Sequence, residues 1–143
     1  YNIYKIRLSD TQLEPTFGTG GKVAFGNTNN MGITHHAGVL YVSQWNSNSI
    51  RKYDALDGSF IGNITIVNAA GGGLSYMTIK NNAIYVCTIN CAGKIVKYDL
   101  GTTVESPFTM DLTATQLYGI VIVNGTIYVT DNTNDLIRFT DEF

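Results

Sequence analysis

The stretches Gly38-Val39-Leu40-Tyr41-Val42, Asn82-Ala83-Ile84-Tyr85-Val86 and Gly125-Thr126-Ile127-Tyr128-Val129 superpose, with their tyrosines 44 and then 43 residues apart. One such run is uninformative. Three at a constant interval make an internal repeat, and a repeat of roughly 20 to 50 residues decides architecture ahead of any local propensity. Nine residues before each tyrosine another β-rich run begins: Gly32-Ile33-Thr34-His35, Tyr76-Met77-Thr78-Ile79 and Gly119-Ile120-Val121-Ile122. After each tyrosine comes a polar turn and then Ile50-Arg51-Lys52-Tyr53-Asp54, Ile95-Val96-Lys97-Tyr98-Asp99 or Ile137-Arg138-Phe139-Thr140-Asp141, while Ile3-Tyr4-Lys5-Ile6 fits the same slot upstream. A last element carries Phe17, Phe60 and Phe108 beside Gly, Ser or Pro.

Each unit therefore holds four short strand-like runs joined by Gly- and Asn-bearing turns, of which Asn124-Gly125 is a strong hairpin signal. No stretch carries a sustained helical period with caps, so α/β alternation is excluded. The expected class is all-β: four-stranded antiparallel meanders stacked as β-propeller blades, about three of them visible. With strands lettered a to d from the channel outward, residues 1–30 supply c and d of one blade, 31–73 and 74–116 form two further blades, and 117–143 supply a to c of another. Closed propellers need about four to eight blades. A larger closed ring is therefore expected, completed by more polypeptide or by self-association. The chain opens on Tyr1 rather than Met, which fits either a removed leader or a window on a longer sequence.

The bulk chemistry agrees with a turn-rich β protein. Only 14% of residues are charged and 44% are hydrophobic, with a formal charge of −2. The nine Lys and Arg are spread along the chain, with Arg51-Lys52 the one adjacent pair, so no basic stripe for phosphate is expected and nucleic acid is not an expected partner. No apolar run approaches the roughly 18 residues of a spanning helix, so membrane insertion is not expected.

The stretch from Gly119-Ile120 through Ile127-Tyr128-Val129-Thr130-Asp131-Asn132-Thr133-Asn134 to Ile137-Arg138 resembles an NHL repeat. Gly32-Ile33, Leu40-Tyr41-Val42 and Ser47-Asn48-Ser49-Ile50-Arg51 match the same pattern, with Gln44 and then Thr88 standing where its aspartate falls. Leu13-Glu14-Pro15-Thr16-Phe17-Gly18-Thr19-Gly20-Gly21-Lys22-Val23 resembles the linker of bacterial delta-sixty propeller repeats. The resemblance implies architecture more than activity, since such propellers include ligand binders, interaction platforms, RNA binders, lactonases and lyases.

Several residues carry possible chemistry. His35 and His36 are the only histidines; His35 occupies the slot of Ile79 and Ile122, which predicts a packed or channel-lining ring, and consecutive strand residues face opposite ways, which argues against a shared metal. Cys87 and Cys91 flank a b–c turn, which leaves a disulfide and two buried thiols both open; two ligands alone make a poor zinc site. Asn63-Ile64-Thr65 and Asn124-Gly125-Thr126 are glycosylation acceptors, which with the disulfide would favour an extracellular or surface location. The run from Asp131 to Asp135 alternates oxygen donors but lacks the glycine and glutamate of a calcium loop and reads as a turn. Trp45, the lone tryptophan, lies in a b–c turn, where an indole either packs on the next blade or contacts a partner. The expected function is a non-catalytic scaffold presenting Trp45, Gln44, Asn46, Asn90, Asp131 and Asn132 to a protein or carbohydrate, with no cofactor and no metal. The alternative is part of a metal-dependent lactonase or lyase whose ligands come from other blades.

Overall fold

The computed structural model describes residues 2–25, 29–69, 71–89, 93–111, 116–132 and 136–140. Its strands form four antiparallel sheets in chain order. The first is a two-stranded ribbon, β1 (Asn2–Tyr4) with β2 (Lys22–Ala24). The second holds β3 (Asn30–His36), β4 (Val39–Gln44), β5 (Ser49–Asp54) and β6 (Phe60–Thr65). A short 3-10 turn at Val67–Ala69 leads to the third, β7 (Gly73–Lys80), β8 (Ala83–Ile89), β9 (Lys94–Asp99) and β10 (Val104–Asp111). The last is β11 (Leu117–Val123), β12 (Thr126–Asp131) and β13 (Leu136–Thr140).

The repeat read from the tyrosines is a repeat of register. Thr34 pairs with Tyr41, Thr78 with Tyr85 and Val121 with Tyr128. The hairpins joining these strands turn on two residues of positive φ, Ala37-Gly38, Asn81-Asn82 and Asn124-Gly125, the geometry that matches the strand twist. Each of these strand pairs also carries a register shift at one position, between Asn30 and Ile33, Leu74 and Met77, and Leu117 and Ile120.

Alternation along the second strand of each meander explains how the sheets stack. Tyr41 joins Met77, Ile84, Val86 and Val96 in a core between the second and third sheets. Ala83, Tyr85 and Cys87 point the other way and meet Leu117, Ile127 and Val129 of the last sheet. Leu40 and Val42 face the ribbon, where Phe25, Tyr53, Ile3 and Val23 complete a third core. Strand β8 is covered on both faces, and all seven of its residues are buried. Each fully buried aliphatic side chain there contributes about 1.5–3 kcal/mol, so these inter-sheet cores hold the stack together.

Two expectations need correction. Phe17 does not belong to the outer strand of the ribbon; it is buried in the long β1–β2 loop, which caps the β5–β6 turn through Lys5 Nζ donating to the carbonyls of Ala55 (3.1 Å) and Leu56 (2.9 Å). His35 holds the register slot of Ile79 and Ile122 but is exposed, because among the described residues the ribbon that its face meets consists of β1 and β2 alone. His36 points elsewhere, with Nε2 3.1 Å from Asn82 Oδ1.

Candidate functional site

Buried hydroxyls tie the inner strands of successive sheets. Ser43 Oγ accepts from Gly32 N (2.9 Å) and donates to the carbonyl of Ser75 in the next sheet (2.5 Å). Ser75 Oγ in turn donates to the carbonyl of Leu117 (2.5 Å). In the last sheet Thr130, in Ser43's slot, accepts from Gly119 N (2.8 Å). Where a hydroxyl fills the bulge the facing residue is glycine: a Cβ on Gly119 would sit 2.8 Å from Thr130 Oγ1. The third sheet has Cys87 and Tyr76 at these positions instead. Cys87 is fully buried, and burial drives its thiol well above the ordinary range, a setting that suppresses thiolate chemistry. Its suggested disulfide partner Cys91 lies outside the described residues.

At the end of this hydroxyl path three sheets meet. Trp45 extends β4 at the position that Ile89 holds in β8 and Asn132 in the last sheet. Its N–H donates to the carbonyl of Asn29 (2.7 Å), the same bond that Asn132 N makes to Gln116 (3.2 Å). The Trp45 carbonyl lies against Gly73, where an added Cβ would stand 1.4 Å from the oxygen, so only glycine admits this approach. The half-buried indole then reaches past the third sheet and stacks on Tyr118 of β11, centroids 6.2 Å apart and planes 27° apart. Tyr118 is fixed from behind, its hydroxyl donating to Gln116 Oε1 (2.7 Å).

The residues singled out from the sequence divide around this pair. Asn46 is exposed beside Trp45, while Asp131 and exposed Asn132 border the Gln116 side. Gln44 is only 5% exposed and faces away from Trp45, its Oε1 accepting from Ser47 Oγ (3.3 Å). Asn90 lies outside the described residues. Asn63, on outer strand β6, and Asn124, in the last hairpin turn, are both exposed. Among the described residues no three His, Cys, Asp or Glu side chains gather into a metal-holding group, and no helix is long and apolar enough to cross a membrane. Gly73, Gln116 and Tyr118 escaped the sequence reading. Aligning the repeats marks them, since Gly73 and Gln116 share one slot and Tyr118 takes that of Met31 and Ser75.

No family model and no curated protein matches the chain. Among solved structures it is similar to BamB from Moraxella catarrhalis, at 11% identity and TM-score 0.58 over 98% of this chain and 39% of that one. It is similar to Sqt1 of Saccharomyces cerevisiae at 10% identity and TM-score 0.61, over 87% and 37%. It is also similar to a luciferin-regenerating enzyme at 15% identity and TM-score 0.57, over 87% and 42%. The chain thus spans less than half the length of each. At these identities the likeness concerns the fold, and with the sheet order it makes this chain an open run of β-propeller blades.

Proposed function

We propose that the chain is a non-catalytic binding scaffold of NHL-like propeller type, which presents the Trp45–Tyr118 pair and its polar surround to a protein or carbohydrate partner, outside the cell or on a surface. One observation carries this reading: a half-buried indole and a half-buried phenol from blades far apart in sequence are stacked and buttressed at one end of the sheets. A rigid aromatic pair offers contact area at small entropic cost, and such residues dominate binding energy where they occur. Asn46, Asn132 and Gln116 supply hydrogen-bonding groups around it.

Trp45 is the only tryptophan, so its emission reports on this site alone. Titrating the chain with a panel of soluble oligosaccharides and with candidate protein partners should shift that emission for the true class. For a partner so identified, Trp45→Ala and Tyr118→Ala should each weaken binding by about tenfold or more with the fold retained. Unchanged affinity in both variants would overturn the reading.

A further inference from the structure

The third sheet departs from the repeat at a position that the Trp45–Tyr118 pair leaves unused. Where the second and last sheets carry glycine in the bulge of the inner strand, Gly32 and Gly119, the third carries Tyr76, and its side chain is 46% exposed. The neighbours of Tyr76 set its direction. Leu74 and Met77 pack toward the second sheet, Ser75 Oγ donates to the carbonyl of Leu117 in the last, and among the described residues β7 pairs along one edge only, with β8. The Tyr76 ring therefore leaves by the free inner edge of β7. Its main chain lies hard against the second sheet, since a Cβ on Gly32 would stand 2.9 Å from Tyr76 Cα. Tyr76 and Tyr118 each follow directly on a member of the Ser75–Leu117 bond, and the Trp45 carbonyl lies against Gly73 of the same strand β7. Three aromatic residues, one from each of three sheets, are thereby set at one end of the inner strands.

The chemistry of this end favours one class of ligand. Its aliphatic side chains, Leu74, Ile89 and Leu117, are 0% exposed, so the surface it offers is aromatic ring, amide and main chain. The segments that build it, 29–30, 44–48, 72–76, 116–118 and 131–132, hold one charged side chain, Asp131. The amides of Asn46, Asn132 and Gln116 can both donate and accept. A sugar ring matches that set, with a C–H face that stacks on an aromatic ring and edge hydroxyls that both donate and accept. A protein partner is held instead by anchors seated in desolvated pockets, and an anionic glycan or nucleic acid by clustered cations. We infer that Trp45, Tyr118 and Tyr76 form one aromatic strip that binds a neutral oligosaccharide chain, successive sugar rings stacking on the Trp45–Tyr118 pair and on Tyr76. This rests on the binding-scaffold reading and narrows its ligand to carbohydrate. Tyr76 stands beyond the stacked pair along the inner strands, so it serves only a ligand longer than one ring.

The probes are neutral oligomers of glucose, galactose, mannose and N-acetylglucosamine, each supplied as monomer, dimer and hexamer and titrated into the chain with Trp45 emission as the readout. Emission should shift with one of these sugars, with an affinity that rises toward the hexamer and does not change with salt. By calorimetry, Tyr76→Ala should lower hexamer affinity by about tenfold while leaving that of the shortest binding oligomer unchanged. Tyr76→Phe should keep both, because the ring makes the platform. The preferred oligomer carried on a protein should bind as the free sugar does. A shift with a protein partner and with none of the sugars overturns this inference and leaves the scaffold reading standing, whereas silence toward both classes removes both. A Tyr76→Ala variant that holds the hexamer as the parent does, or that loses short and long oligomers alike, also overturns it. So does an affinity that falls steeply with salt, or a carrier conjugate that still binds once its sugar is removed.

Discussion

The third sheet and the second are built on one register yet differ in what covers them. Ile84 and Leu40 hold the same position, as do Met77 and Ile33, but in the third sheet both are buried between neighbours and in the second both are partly open. The apolar pattern along a blade strand therefore specifies two faces, and burial is conferred by whichever sheet stands next to each. The sharpest way to break the comparison is to truncate the matched pair. Ile84→Ala should cost about 3–4 kcal/mol by urea unfolding and Leu40→Ala about 1 kcal/mol, since a cavity forms only where the surroundings are closed. Equal costs would mean that the inter-sheet core does not distinguish the two blades.

The same contrast extends to the hydroxyls. Ser43 joins two sheets from a buried position, whereas Thr130 makes the equivalent bond at an exposed end. Ser43→Ala should cost about 1–3 kcal/mol, because Gly32 N is left buried without its acceptor, and Thr130→Ala about 0.5 kcal/mol, because water replaces the lost oxygen. Chemical denaturation of the two variants decides whether the path of hydroxyls is structural.

Much of this was legible in the residues. The tyrosine interval gave blade length, and the nine-residue offset placed each inner strand, because strand pairing with a two-residue turn leaves no freedom in register. What failed was exposure. His35 was expected to pack because Ile79 and Ile122 do, and Phe17 was aligned with Phe60 because both lie beside small residues; in each case the neighbour, not the local pattern, decides. The candidate site was half legible. Trp45 stood out as a unique residue in a turn, but its partner Tyr118 lies 73 positions on, and only the stacking of three blades brings the rings together.

The three inner hairpins allow a finer test, since only one of them is turned by alanine. Ala37 has φ +48°, a region where its Cβ is strained, while Asn81 and Asn124 occupy the same place in the other two. Ala37→Asn should stabilise the chain by about 0.5–1 kcal/mol, read as a rise in the denaturation midpoint at unchanged slope. No gain would mean that the second sheet holds this turn without strain.

The smallest effect expected is electrostatic and lies in the turn between β9 and β10. Asp99 Oδ1 accepts from the N–H groups of Gly101 and Thr102, both at 2.8 Å, and these bonds, with the Thr102 contact first, hold its carboxyl below the ordinary aspartate value of 3.8. A lowered value means that the folded state favours the charged form. The stabilisation is therefore complete above the ordinary value and is lost as pH falls through the lowered one. Thermal midpoints measured from about pH 6 down to about pH 2 should fall at the acid end, and Asp99→Asn should remove part of that fall while lying slightly below the parent at neutral pH. A variant whose acid profile matched the parent throughout would show that this surface carboxylate caps its turn through geometry alone, with water screening what its charge contributes.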